Sequence, residues 1–271
     1  MLGRWPEKEF LRHANHAMPA VLIPSTASLP SPHLVPQDVH VWFCDLSRHQ
    51  SERDGLAALL STDEQSRAAR FAFERDRHRF TLSHGLLRII LSRYVSEEPG
   101  HIQFKMGPHG KPAVDSRAGA GQPIEFSLSH SGEYAVVAVA TGRAVGVDIE
   151  VCRSDVDSVQ LAQRFFAPGE SRHIAQAQGE DRPRMFYRFW TAKEAYLKGR
   201  GVGLSLGLER FELLFDEGQV VARVRSTGSG TLEKDWSVHS LRLADHIAGA
   251  LAVEGEVARI SILDATTILD R

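Results

Sequence analysis

Two stretches of this chain recur at nearly the same separation, and that limits the folds open to it. Asp76-Arg-His-Arg-Phe80 is echoed by Asp181-Arg-Pro-Arg-Met185, 181 − 76 = 105 positions on, and Tyr134-Ala-Val-Val-Ala-Val-Ala140 by His246-Ile-Ala-Gly-Ala-Leu-Ala252, 246 − 134 = 112 positions on. The first pair opens segments with apolar residues at helical spacing: Phe80, Leu87, Ile90, Leu91 and Tyr94, then Phe186, Phe189, Ala192 and Leu197. The second pair are apolar runs of strand length. The repeat therefore predicts an α+β pseudo-dimer of two similar halves, each a long helix packed on a small antiparallel sheet. In such a duplication the main cleft lies between the halves, where ligand sites form.

Residues 1–37 stand apart. Pro19, Pro24, Pro30, Pro32 and Pro36 lie among Ser, Thr and Ala, a mix that sustains neither a helix nor a sheet ladder. This Pro-rich N-terminal extension is expected to precede the two halves, residues 38–147 and 148–271. Alternation of Val39, Val41 and Phe43 with His40, Trp42 and Cys44 predicts a first strand. Ser61 and Glu64 have the spacing of a capping box and predict a helix start. Long helices are expected over residues 76–95 and from Asp181 to about Gly199. Strands are expected at residues 102–105, 125–130, 134–140 and 145–151, then at 210–215, 220–224, 236–241 and 247–253, with Asp216-Glu-Gly218 as a hairpin turn.

Charge narrows the partners. Lys plus Arg (32) less Asp plus Glu (34) leaves −2, so no nucleic-acid partner is expected, because that needs a basic surface. No membrane partner is expected either, since no apolar run reaches the roughly 20 residues of a span. Pro19 breaks the apolar stretch at 18–23, and Glu7 and Glu9 argue against a transit peptide. Two cysteines, Cys44 and Cys152, exclude a disulfide scaffold and a four-cysteine zinc site. A cytoplasmic monomer is the expectation, a pseudo-dimer needing no second copy.

Four short segments carry chemistry. In Val145-Gly-Val-Asp-Ile-Glu-Val151, strand alternation sends the valines and Ile149 to the core and Gly146, Asp148 and Glu150 the other way. The two carboxylates sit roughly 7 Å apart, twice the per-residue rise, and repel unless a cation such as Mg²⁺ relieves them; the alternative is a solvated strand face. On the second long helix, Trp190, Glu194 and Lys198 stack at i, i+4, i+8. Glu194 can supply a third carboxylate and Lys198 can neutralise phosphate; a simple Glu–Lys helix pair is the alternative. Ser129 and His130 close a strand and suit hydrogen bonds to a phosphate or sugar, or merely cap the turn. Being adjacent, they point to opposite faces and make a poor nucleophile–base pair. Lys111, in His109-Gly-Lys-Pro112, is a phosphate contact or part of a common turn.

In this order and spacing the chain resembles the 4′-phosphopantetheinyl transferase superfamily, surfactin-synthetase-activator type, over about residues 38–255. The matching pieces are Gly110-Lys-Pro112, Ser127-Leu-Ser-His-Ser131, Gly146-Val-Asp-Ile-Glu150, Phe165-Phe166 with Glu170, and Trp190-Thr-Ala-Lys-Glu-Ala-Tyr-Leu-Lys198 with Gly201-Val-Gly203. Ser127 stands where many members carry Asn. The resemblance implies transfer of 4′-phosphopantetheine from coenzyme A to a serine of an apo acyl or peptidyl carrier protein, releasing adenosine 3′,5′-bisphosphate. It implies Mg²⁺ held by Asp148, Glu150 and Glu194, and coenzyme A phosphates held by Lys111, Ser129, His130, Arg79 and Lys198. Glu194 would take the serine proton, directly or through a water on the metal, and Lys198 would neutralise the leaving phosphate. The residues 199–212 are a candidate carrier-docking segment. A non-catalytic coenzyme A or carrier-binding module is the alternative, and would be expected to have lost an acid or the lysine.

Overall fold

In the computed structural model the described residues are 34–107, 109–115, 122–203, 206–215 and 221–269. The expected extension up to residue 33, residues 204–205 of the docking segment, the turn at 216–218 and residue 220 of the expected strand 220–224 lie outside them. The chain runs β1 (Asp38–Asp45), α1 (Arg53–Ala58), α2 (Thr62–Ala69) and α3 (Glu74–Ser92), then β2 (Phe104–Met106), β3 (Pro112–Val114), β4 (Ile124–Ser131), β5 (Tyr134–Thr141) and β6 (Val145–Val151). After α4 (Ser158–Phe165), α5 (Pro168–Gln176) and α6 (Asp181–Arg200) come β7 (Phe211–Phe215), β8 (Val221–Ser226), β9 (Leu232–Ala244), β10 (Ile247–Glu254), β11 (Arg259–Asp264) and α7 (Thr266–Leu269). Among the described residues no helix is long and apolar enough to cross a membrane.

The fold is α+β. One sheet has the order β11-β1-β5-β4, a second the order β6-β10-β9-β8-β7, and β2 pairs with β3 alone. The expected division at 147/148 falls within β6, which pairs antiparallel with β10. The last strand, β11, returns to pair parallel with β1.

Three apolar layers follow from these pairings. Leu82, Leu86, Ile90 and Leu91 of α3 pack on Trp42, Phe126, Ala135, Val137 and Val139 of the first sheet. Val39, Val41, Val136 and Ala138 meet Val145, Val147, Ile149, Leu251 and Val253 between the two sheets. Phe186, Phe189, Ala192 and Ala195 of α6 pack on Leu213, Val224, Val238, Ala250 and Ala252. Strands β5 and β10 are thus covered on both faces, which is why each reads as an unbroken apolar run instead of alternating. Each fully buried aliphatic side chain of this kind contributes about 1.5–3 kcal/mol.

Local signals set the ends. Ser61 and Glu64 form a reciprocal capping box at α2, and the same Glu64 carboxylate takes the buried Arg88 guanidinium of α3 at 2.7 Å. Helix α6 stops at Gly201, whose φ of 63° suits a residue without a Cβ.

Candidate active site

Strands β4 and β6 are edges of different sheets, and three serines at alternate positions of β4 join them. The hydroxyl of Ser127 accepts Val147 N–H at 3.1 Å, and that of Ser131 accepts Val151 N–H at 3.1 Å. These bonds satisfy edge donors of β6 and fix its face relative to β4. Ser129, between them, donates to Asp148 Oδ1 at 2.7 Å, and Ser131 donates to Glu150 Oε2 at 2.6 Å.

Helix α6 comes onto the same face because two glycines let it. A Cβ on Gly146 would lie 2.1 Å from Ala195 O and 2.2 Å from Gly199 N, both backbone atoms of α6. This close approach delivers Lys198, whose ammonium donates to Asp148 Oδ1 at 2.7 Å and to Ser129 Oγ at 2.9 Å. Two of its three protons are then used. Asp148 is 5% exposed, so its face of β6 is not a solvated one. Burial pushes its carboxyl pKa up, and Lys198 opposes that most strongly. Its second oxygen, Oδ2, is buried with no hydrogen-bond partner.

Glu194, one turn before Lys198, is pushed up to about 7 by burial, then by repulsion from Asp148 and Glu150, with Lys198 opposing. Glu150 is raised by burial, against which Ser131's hydrogen bond works. The three acids therefore feel one another's field, although among the described residues no three His, Cys, Asp or Glu side chains are gathered closely enough to hold one metal ion. The donor set still suits a hard cation: it is all oxygen, mutually repelling, and includes the orphaned Oδ2.

The remaining candidates divide. Ser129 is buried and His130 exposed, on opposite faces of β4 as alternation predicts. The protein around the His130 ring lowers its pKa, and the nearby cations of Lys198 and Arg79 lower it further. Arg79, on α3, is paired with Glu133 in the turn after β4. Lys111 is not brought to the acids. Its ammonium donates to Val145 O at 2.9 Å and Gly199 O at 3.0 Å, tying the start of β6 to the end of α6. Sequence reasoning does not single out Ser127, Ser131 or Glu133 as individual participants. The period of two in Ser127-Leu-Ser-His-Ser131 is the available signal for the serines, and nothing local marks Glu133.

On the far side of α6, Lys193 is fully buried against Glu170 at 2.7 Å. Its ammonium also donates to Leu208 O at 2.8 Å and Phe211 O at 2.6 Å, while Glu170 accepts Ala167 and Leu213 N–H. This closed network anchors the segment entering β7.

Comparison with known proteins bears on what such a site serves. The family model of the 4′-phosphopantetheinyl transferase superfamily matches residues 144–252, and that of the 4′-phosphopantetheinyl transferase N-terminal region matches residues 47–142. The chain is 37% identical over 222 residues to the 4′-phosphopantetheinyl transferase HetI of Nostoc sp., covering 82% of this chain and 90% of that protein. It is 28% identical over 197 residues to the 4′-phosphopantetheinyl transferase Sfp of Bacillus subtilis, covering 72% and 85%. It is 29% identical over 217 residues to the human L-aminoadipate-semialdehyde dehydrogenase-phosphopantetheinyl transferase, covering 75% and 70%.

Proposed function

The chain belongs to the 4′-phosphopantetheinyl transferase superfamily, and from that premise we propose that the Ser129–Asp148–Lys198 cluster with Glu150 and Glu194 is where phosphopantetheine passes from coenzyme A to a carrier protein. The protein is a transferase of the 4′-phosphopantetheine group to carrier proteins. The donor is coenzyme A, the acceptor a serine hydroxyl of an apo acyl or peptidyl carrier protein, and the by-product adenosine 3′,5′-bisphosphate. The two helix-and-sheet units are read as duplicated halves with this site in their cleft.

The observation that carries the reading is the meeting of a Lys ammonium with spare donor capacity and a buried Asp with an unpartnered oxygen, on a face shared with the carboxylates of Glu150 and Glu194. Burial and the neighbouring acids favour the protonated form of metal-free Glu194, which suits that carboxylate to receive a proton. The carrier serine oxygen attacks the β-phosphorus as its proton passes to the Glu194 carboxylate. The bond from that phosphorus to the bridging oxygen breaks, and the charge collects on the departing bisphosphate. The third proton of Lys198 is available to that charge, and donors held in place in advance are effective because nothing needs to reorganise. Ser129 orients Lys198, while His130 and Arg79 take coenzyme A phosphates. Lys111 braces α6 on β6. Asp148, Glu150 and Glu194 would hold Mg²⁺, which would supply charge neutralisation across the diphosphate.

Intact-mass spectrometry of apo-carriers incubated with this chain, coenzyme A and Mg²⁺ tests the reading. One phosphopantetheine gain per carrier is expected, lost on exhaustive chelation and restored by Mg²⁺. Full transfer after chelation refutes the metal role. Coenzyme A binding without mass gain on any carrier returns the protein to a non-catalytic binding module.

A further inference from the structure

The guanidinium assigned above to a coenzyme A phosphate already has an anion on it. Arg79 Nε donates to Glu133 Oε1 at 2.8 Å, and Nη2 donates to the same oxygen. Nη1 lies 3.6 Å from Asp76 Oδ1, a looser contact within α3. Glu133 sits in the turn between β4 and β5, three residues after His130 and directly after Gly132, whose φ is 58°. Its main chain is pinned, since its carbonyl accepts Leu46 N–H at 2.7 Å. The Glu133 side chain is 37% exposed against 21% for that of Arg79, so neither member of the pair is sealed from solvent.

We propose that Glu133 is an internal stand-in for a phosphate of coenzyme A, holding Arg79 until the nucleotide displaces it, and so sets the affinity of the site. The proposal rests on the reading of this site as the coenzyme A site. Arg presents a rigid fork that takes a carboxylate or a phosphate in the same manner, but not both at full strength. A phosphate oxygen arriving at Arg79 must remove the Glu133 carboxylate or sit beside it as a like charge. If the carboxylate must leave, the apparent dissociation constant exceeds the intrinsic one by the inverse of the fraction of Arg79 that is free; if it stays, like-charge repulsion raises the constant instead. Glu133 also selects among ligands. A phosphate dianion competes with a carboxylate for Arg79 better than a singly charged group does, so the residue favours the fully phosphorylated donor. Neither partner is deeply buried, which places the effect in the range of half-exposed ion pairs, about two- to fivefold in affinity.

Isothermal titration of coenzyme A at fixed Mg²⁺ into the parent, Glu133→Gln, Arg79→Ala and the double variant decides the matter. Glu133→Gln should bind coenzyme A about two- to fivefold more tightly, and the same change in the Arg79→Ala background should do nothing. Glu133→Ala, which removes the anion by another route, should tighten binding likewise. Unchanged or weaker binding in both Glu133 variants, or equal tightening with and without Arg79, overturns the competition. If Glu133 only braces the turn, thermal melting falls in both variants with no gain in affinity. A parent that binds no coenzyme A overturns the reading of the site itself, and this proposal with it.

Discussion

Replacing Gly146 by Ala puts one methyl group where the site has no room for it. The new Cβ would meet Ala195 O at 2.1 Å, Gly199 N at 2.2 Å and Gly199 Cα at 2.7 Å, whereas such contacts are essentially never under 3.0 Å. The three atoms belong to the backbone of α6, so no side-chain rotation relieves the clash, and the helix must withdraw by at least 3.0 − 2.1 = 0.9 Å. Lys198 and Asp148 are then pulled from 2.7 Å toward the edge of hydrogen-bonding range. The Lys111 bonds to Val145 and Gly199, at 2.9 and 3.0 Å, stretch with them. Overpacking of this kind costs about 1–3 kcal/mol, or a fall of about 2–12 °C in melting temperature for a chain of this size. The catalytic effect is larger, because a misplacement of about 1 Å costs on the order of 100-fold in rate. Thermal melts and transfer rates to an apo-carrier at saturating coenzyme A measure both. Gly55→Ala in α1, where an added Cβ meets nothing within 4 Å, is the control and should be neutral or slightly stabilising. Turnover within twofold of the parent in Gly146→Ala would show that α6 does not need this approach to place its lysine.

Glu194→Gln should lower turnover by on the order of 10²–10⁴. In metal-free protein it should also change the pH dependence of stability. Because the folded-state pKa is raised from 4.5 to about 7, the folded protein binds the extra proton in that window, and stability falls as pH rises through it. Melts of parent and Glu194→Gln across the window should diverge in favour of the variant and run parallel above it; no divergence means that Glu194 is not held protonated. Lys111→Met should lower melting temperature and turnover while coenzyme A affinity stays within about twofold, since its ammonium serves two carbonyls; a large rise in the dissociation constant assigns it to phosphate binding instead. Arg88→Met removes the partner of buried Glu64 and strands the Pro99 and Ile102 carbonyls. A loss of about 3–5 kcal/mol is expected in chemical denaturation, and a loss under 1 kcal/mol would show that Glu64 finds another partner.

The features legible in the sequence are those that depend on neighbours along the chain. Alternation on β6 separates Gly146, Asp148 and Glu150 from the valines. The four-residue period of α6 aligns Glu194 with Lys198. The capping box opens α2, and the unbroken apolar runs of β5 and β10 mark strands with both faces covered. The pairing of Lys193 with Glu170 is present in the sequence only as two residues in separate motif pieces, 23 positions apart. Helices α4 and α5 are amphipathic but run only eight and nine residues, little more than two turns of pattern each, and β11 is a six-residue strand half-buried between exposed ends.

Local sequence determined which residues share a face, because backbone geometry repeats every two or 3.6 residues whatever lies opposite. Tertiary structure alone decided what each face meets. It buried Asp148 by setting the edge of one sheet against the serines of another. It turned Lys111 toward the end of a helix 88 residues away and set Glu133 on Arg79 across 54 residues. Charge, burial and proton affinity are sums over neighbours in space. The neighbours that matter at this site come from β4, β6, α3 and α6, so its electrostatics exist only once those elements have packed.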